Sequence, residues 1–131
     1  MASIQITNSV VALLKEKQIA DKPLLLIADD GGGDYSLLGG ACSLGAKFSI
    51  VELEQPDPKY AIELENNVGL QLYTSKYDLT FMGKGLKLDF KNYRISLKDD
   101  SGLLDGGVQI AKGSDIKAAF AKGIFAGSTG C

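Results

Sequence analysis

Residues 85–97 read GLKLDFKNYRISL, and this stretch decides the fold class of the chain. Apolar side chains alternate with polar ones over residues 86–90, and the same period of two returns over residues 93–97. Successive side chains of a strand point to opposite faces of a sheet, so each run predicts a strand with one buried face. The pair Lys91-Asn92 separates the two runs, which predicts a β-hairpin.

Shorter patterns on both sides of the hairpin extend the β prediction. Further strands are expected at residues 3–6, 24–28, 48–53, 60–64, 70–74 and 108–110. The run LLLIA at 24–28 is apolar throughout, which predicts a buried strand. Helical segments are expected at residues 7–19, 75–79 and 114–123, with Thr7 and Ser114 as candidate N-caps. We therefore expect a mainly β (α+β) fold, a small barrel or sandwich flanked by an N-terminal and a C-terminal helix, in one domain over residues 1–131.

The composition of the chain excludes several classes of function. The chain has 131 residues, a net charge of −2 and no histidine. Without histidine there is no Ser–His or Cys–His relay and no imidazole ligand for zinc. No basic stripe is present to neutralise phosphates, and no apolar run is long enough to cross a bilayer. We therefore expect no nucleic-acid partner and no membrane partner. The opening residues MASIQITNS do not resemble a secretory signal, so we expect a cytoplasmic protein.

A glycine-rich stretch, DDGGGDYSLLGGACSLG at residues 29–45, contains Cys42, and the second cysteine is Cys131. Thiolates are soft donors that bind iron and iron–sulfur clusters, and glycines let the backbone approach a bound ion closely. The alternative for Cys42 is a buried structural thiol, because free cysteine is among the residues most often buried. Cys131 follows a Gly-Ser-Thr-Gly tail and is either a second ligand or a thiol without a role.

The glycine-rich stretch also carries three acids, Asp29, Asp30 and Asp34. Carboxylate oxygens on a loop suit calcium or magnesium. The spacing of these acids differs from that of an EF-hand, so a solvated acidic loop is the simpler interpretation.

A second group of acids flanks the sequence SGLLDGG at residues 101–107: Asp99, Asp100 and Asp105. We expect these carboxylates to accept hydrogen bonds within turns, in preference to forming an acid–base pair, which would need burial. We also expect the glycines of this sequence to adopt positive φ, at residues 102, 106 and 107.

Four short motifs occur in a characteristic order: ITNSVVALL at 6–14, GACSLG at 40–45, LDF at 88–90 and GLLDGGVQI at 102–110. In this order they resemble the HesB-like family of A-type iron–sulfur cluster biogenesis proteins, which includes IscA and SufA. The resemblance spans about residues 3–110 and looks closest to the divergent, small members from Gram-positive bacteria. It implies a β pseudobarrel capped by helices, a cytosolic location and a non-enzymatic role in carrying iron or a cluster. Residues 111–131 would then be a helical or flexible C-terminal extension.

The resemblance also implies a ligand set, which this chain matches in part. The family carries one cysteine in the glycine-rich segment and a Cys-Gly-Cys pair after the last strand. Cys42 occupies the first position, whereas the residues after Ile110 contain no Cys-x-Cys and offer Cys131 as the other thiol.

The function implied by the resemblance is that of an iron or iron–sulfur cluster carrier or scaffold. Its metal ligands would be Cys42 and Cys131, its partners would be iron–sulfur assembly or recipient proteins, and a homodimer would combine the thiols of two chains. The alternative is a non-catalytic interaction module that keeps the fold and has lost metal binding.

Overall fold

The computed structural model of the chain describes residues 2–29, 35, 47–114 and 116. This part of the chain forms ten strands and two helices: β1 Ser3–Ile6, α1 Asn8–Glu16, β2 Leu24–Ala28, β3 Phe48–Glu52, β4 Ile62–Glu63, β5 Glu65–Asn66, β6 Leu72–Thr74, α2 Lys76–Leu79, β7 Leu86–Lys91, β8 Arg94–Asp99, β9 Gly102–Asp105 and β10 Gln109–Lys112. The predicted mainly β fold is thereby confirmed. Neither of these helices is long and apolar enough to cross a membrane.

The strands form two mixed sheets of five strands each. The order is β5-β1-β7-β8-β9 in sheet A and β10-β3-β2-β6-β4 in sheet B. In sheet A, β1 runs parallel to both of its neighbours, whereas β7, β8 and β9 are antiparallel. In sheet B, β3 pairs antiparallel with β2 and parallel with β10. Parallel neighbours cannot be joined by a tight turn, so both sheets combine strands that are distant in sequence.

An apolar core lies between the two sheets. Ile6 and Leu88 enter this core from sheet A, and Leu26 enters it from sheet B. Val10 and Leu14 lie one turn apart on α1 and are buried in the same core. Packing of this apolar stripe stabilises α1, because an isolated helix of its length is marginal in water.

Sheet B is buried on both faces at β2 and β3, which confirms the buried strand predicted from LLLIA. Its outer face carries a second apolar cluster that includes Leu25, Ile27 and Val51. Tyr35 and Ile116, which are far apart in sequence, belong to this cluster and cover the sheet. Sheet B is therefore a middle layer, with the common core on one side and these two side chains on the other.

Thr7 is the N-cap residue of α1, as predicted, but its hydroxyl makes no capping bond to a backbone N–H of the helix. Thr7 Oγ1 donates instead to Asp89 Oδ1 at 2.9 Å, and Ser9 Oγ donates to the same oxygen at 3.3 Å. A carboxylate makes stronger hydrogen bonds than a neutral group, so Asp89 draws the hydroxyl away from the helix end. The helix itself ends at Glu16, before the predicted end at Ile19.

The predicted hairpin is confirmed, with its turn one residue later than expected. Lys91 pairs with Arg94 across the ladder, and Asn92 and Tyr93 form the turn with φ of 54° and 62°. Two consecutive left-handed residues are typical of a type I′ turn, whose twist matches that of the strands. Tyr93 therefore belongs to the turn and not to the predicted strand.

The sequence SGLLDGG contains a strand in addition to turns. β9 begins at Gly102 and pairs with β8. Positive φ is confirmed at Gly102, at 128°, but the expectation is wrong for Gly106 and Gly107. Asp105 Oδ1 accepts the Gly107 N–H at 2.8 Å, so a side-chain bond bends the chain there without a left-handed residue.

The chain becomes helical after the last predicted strand, which is β10. Gly113, Ser114 and Ile116 have helical backbone. Ser114 therefore lies inside the first turn, and the prediction that it is the N-cap is wrong. The rest of the predicted terminal helix lies outside the described residues.

Candidate functional site

Several candidate site residues lie outside the part of the chain that the structure describes: Cys42, Cys131, Asp30 and Asp34. Asp29 is described and is only 6% exposed, which contradicts the expectation of a solvated carboxylate at this position. Within the described ranges, no three cysteine or carboxylate side chains come close enough together to hold a metal ion.

The structure describes both ends of the segment that carries Cys42. This segment, residues 30–46, joins β2 to β3 and is named the Cys42 segment here. Ala28 at the end of β2 pairs with Phe48 at the start of β3. Beyond this pair, the Asp29 N–H donates to the Lys47 carbonyl at 2.7 Å. The chain therefore leaves sheet B and returns to it at adjacent backbone positions.

A carboxylate from α2 holds the first end of the Cys42 segment. The Ala28 N–H donates to Asp78 Oδ1 at 3.0 Å, and Asp78 is 4% exposed. The neighbouring strand β6 ends at Thr74, whose Oγ1 donates to the Leu26 carbonyl at 2.8 Å. Asp78 thus continues the hydrogen bonding of β2 beyond the point where its strand partner stops.

The Asp78 position is set by a local helix cap. Ser75 is the N-cap of α2 and accepts the Asp78 N–H at 3.2 Å, and its hydroxyl bonds back to Asp78 Oδ2. The Ser-x-x-Asp spacing is that of a capping box, but the Asp78 carboxylate accepts from the Ser75 hydroxyl. The helical turn is predicted from the sequence, whereas the role of Asp78 is not, although the Ser75–Asp78 spacing is a local signal for it.

A second carboxylate holds the other end of the Cys42 segment. The Phe48 N–H donates to Asp105 Oδ2 at 2.8 Å, and this bond is buried. β10 pairs with β3 only from Gln109 opposite Ser49 onward, so Asp105 supplies the acceptor that a longer strand would have offered. The predicted turn role of Asp105 is confirmed, and the bond to Phe48 adds an anchor that the sequence analysis misses.

Asp99 confirms the turn role expected for it. Its Oδ1 accepts the Ser101 N–H at 2.9 Å and the Ser101 hydroxyl, and its Oδ2 accepts the Gly83 N–H at 2.8 Å. These donors, with the Ser101 hydroxyl first, lower the pKa of Asp99 below its ordinary value. A carboxyl group that stays ionised in this way suits turn stabilisation better than proton donation.

Asp89, within the LDF motif, is a further carboxylate whose role the sequence analysis misses. The Thr7 hydroxyl, followed by the Phe90 N–H and the Ser9 hydroxyl, lowers the pKa of Asp89. Together these bonds fasten the start of α1 to β7. The motif therefore has a structural explanation in this chain.

Tyr35 shows where part of the Cys42 segment lies. Its ring is 1% exposed, and its hydroxyl donates to Asp57 Oδ2 at 2.7 Å. A Cβ atom placed on Gly113 would lie 3.1 Å from Tyr35 Cε1 and 2.8 Å from Leu53 Cδ2. Because Gly113 has no side chain, the start of the C-terminal segment packs closely against Tyr35. The segments that contain the two cysteines thus share one face of sheet B at these residues.

Comparison with known proteins identifies the family. A crystal structure of a candidate Fe–S biosynthesis protein from Lactobacillus acidophilus is 38% identical, with a TM-score of 0.82, and the match covers 92% of this chain and 97% of that chain. A candidate Fe–S biosynthesis protein from Lactobacillus salivarius, described as having a novel fold, is 26% identical, with a TM-score of 0.63 and coverage of 84% and 97%. No significant match exists among proteins with curated function. The family model for iron–sulphur cluster biosynthesis matches residues 2–112, which confirms the resemblance drawn from the motifs, and the chain belongs to this family.

Proposed function

We propose that the protein is a non-enzymatic cytoplasmic carrier of iron or of an iron–sulfur cluster, and that the Cys42 thiolate binds this cargo. The observation that carries the proposal is the anchoring of the Cys42 segment. Both of its ends lie side by side on sheet B, and buried carboxylates, Asp78 and Asp105, hold the adjoining strand ends. A ligand on a segment with fixed ends is better positioned than one on a free loop.

The number of donors limits how the cargo is held. Each chain has two cysteines and no histidine. A cluster bound by four thiolates requires two copies of this chain, or one copy and thiolates of another protein. A carrier with an incomplete ligand set can pass its cargo on, because the partner completes the coordination. The proposed partners are therefore iron–sulfur assembly or recipient proteins.

Two carboxylates of the described residues support the proposed absence of enzymatic activity. Acid–base catalysis near neutral pH needs a group that exchanges a proton in that range. Hydrogen-bond donors lower the pKa of Asp89 and of Asp99, which moves both groups further from neutrality. Nucleophilic catalysis by a cysteine thiol would also lack the histidine base that commonly activates such a thiol.

Anaerobic reconstitution with ferrous iron and sulfide tests the proposal. The wild-type chain is expected to develop visible absorbance and to retain iron after desalting, because thiolate-to-iron charge transfer is coloured. Cys42→Ser should lose both signals, while its thermal unfolding remains cooperative, and Cys131→Ser tests the second thiol separately. A wild-type chain that stays colourless and iron-free contradicts the carrier function.

An interaction module without metal is the second candidate function. The absence of Cys-x-Cys after Ile110 favours it, together with the lack of a three-donor group among the described residues. This candidate predicts that wild type, Cys42→Ser and Cys131→Ser capture the same partner equally well. Loss of capture in Cys42→Ser alone would instead support a role for the thiol.

A further inference from the structure

An open groove of about 370 Å³ lies between α1 and the β7–β8 hairpin. It is named the hairpin groove here and is lined by Leu13, Lys17, Phe90, Arg94, Ile95 and Val108, among others. Ile95 and Val108 are buried, and Leu13 and Phe90 are partly buried and packed against the core. The floor of the hairpin groove is therefore apolar.

Two cations flank this apolar floor. Lys17 lies just beyond the end of α1, and Arg94 is the first residue of β8; both are exposed. Among the described residues the ion pairs are those of Lys22 with Glu52 and Glu54, so neither groove cation has an acidic partner there. The chain as a whole has a net charge of −2, so this positive rim is a local feature.

Tyr93 stands at the edge of the hairpin groove and is 96% exposed. Its φ of 62° is left-handed, a conformation for which Gly is the favoured residue at the second central position of a type I′ turn. An aromatic residue at this position adds local strain and has no contact that would explain it by packing. Exposed tyrosines of this kind are typical of binding surfaces.

The hairpin groove is adjacent to one anchor of the Cys42 segment. Val108 donates its N–H to the Ile95 carbonyl at 2.9 Å, and this bond connects the chain after β9 to strand β8 of the hairpin. Gly107, also in the groove lining, donates to Asp105, which in turn holds the Phe48 N–H. A molecule in the hairpin groove would thus contact the chain next to the returning end of the Cys42 segment.

We infer that the hairpin groove binds a segment of a partner protein in which apolar side chains alternate with carboxylates. Apolar side chains would cover the floor, carboxylates would pair with Lys17 and Arg94, and Tyr93 would close over the backbone. Complementary charge would increase the association rate and select against basic segments. The inference concerns a protein partner and holds whether or not Cys42 binds iron.

The test uses a synthetic twelve-residue peptide of alternating leucine and glutamate, labelled with fluorescein, and the full-length chain. Fluorescence anisotropy should show saturable binding, and amide NMR shifts should change at residues 17, 94 and 108. Peptides of leucine with lysine, or of serine with glutamate, should bind about tenfold more weakly. Equal binding of all three peptides, or no saturable binding of the leucine–glutamate peptide, would overturn the inference.

Charge reversal provides a matched control on the protein side. Lys17→Glu with Arg94→Glu should weaken binding of the acidic peptide about tenfold. Lys76→Glu with Lys84→Glu changes the net charge equally at exposed positions outside the groove and should change binding less than about twofold. If both double variants lose the same binding affinity, only the net charge of the chain matters, and the proposed binding in the hairpin groove is refuted.

Tyr93→Gly separates binding from structure. Glycine relieves the left-handed strain, so the melting temperature should stay equal or rise, while peptide binding falls about threefold. If the variant unfolds at a lower temperature and binds the peptide as well as wild type, Tyr93 has a structural role and no part in the proposed interface.

Discussion

The Asp105 carboxylate is the most direct point at which to perturb the anchoring of the Cys42 segment. It accepts two backbone N–H groups, one from Phe48 and one from Gly107, each at 2.8 Å. Asp105→Ala removes both acceptors and leaves the strand β3 with a buried N–H at its first residue. We expect this change to destabilise the fold and to loosen the returning end of the segment.

The size of the effect follows from the burial of the two donors. A buried N–H without a partner costs about 1–3 kcal/mol, and this applies to Phe48, which is 1% exposed. Gly107 is exposed, so water can replace its bond at little cost. The free energy of unfolding should therefore fall by about 2 kcal/mol, which lowers the melting temperature by about 8 °C for a chain of this size.

Chemical and thermal unfolding followed by circular dichroism measures this change. Asp105→Asn keeps the volume and one acceptor oxygen, which can stay on the buried Phe48 N–H, so it should lose much less stability than Asp105→Ala. Asp100→Ala is the matched control, since Asp100 is exposed, and it should change stability by less than about 0.5 kcal/mol. If Asp105→Ala and Asp100→Ala destabilise equally, the anchor argument is refuted.

Three further predictions concern the packing on the outer face of sheet B and the stability of the fold at acid pH. Gly113→Ala places a Cβ atom 3.2 Å from the Glu52 carbonyl oxygen, and calorimetry should show a loss of about 1–3 kcal/mol, whereas an unchanged melting temperature would contradict the close packing. Tyr35→Phe removes the hydroxyl that donates to Asp57 and should cost about 0.5–1.5 kcal/mol in urea unfolding; no loss would mean that the bond is not formed in solution. The lowered pKa of Asp99 predicts stabilisation that is fully present above the unfolded value of 3.8 and is lost as the pH falls through the lower folded value. Asp99→Asn should therefore be less stable than wild type at neutral pH, and the difference should shrink below pH 3.8; a constant difference would exclude this linkage.

The strands could be predicted from the sequence because their signals are local. The alternation in residues 86–90 and the apolar run at 24–28 each depend on neighbouring residues, and both appear as strands in the structure. β5 and β9 are missed: Glu65–Asn66 and Gly102–Asp105 have turn composition and become strands through pairing with β1 and β8. The order of strands in the sheets is likewise set by contacts between distant segments, which single-sequence periodicity does not contain.

At the candidate site, too, the features with a local sequence signal can be predicted, and those that depend on contacts between distant segments cannot. Cys42 is predicted as a ligand from its glycine-rich motif, which is continuous in sequence, and the prediction falls outside the described residues. The hydrogen bond between Phe48 and Asp105 joins residues 57 positions apart, so no local sequence pattern predicts it. Asp78 has a local signal in its Ser-x-x-Asp spacing, but its bond to Ala28 depends on how α2 packs beside β2.

The strand order also constrains how the protein forms during synthesis. β1 is made first, yet its neighbours lie far along the chain, β5 at the midpoint and β7 beyond it. The N-terminal strand therefore has no strand partner until about half of the polypeptide has been synthesised, and such long-range pairing slows folding. The Cys42 segment is translated long before Asp105, so the pairing of β2 with β3 can bring its ends together before the Phe48 N–H gains its carboxylate acceptor. The late synthesis of β9 therefore adds the second carboxylate anchor of this segment as one of the last steps of folding.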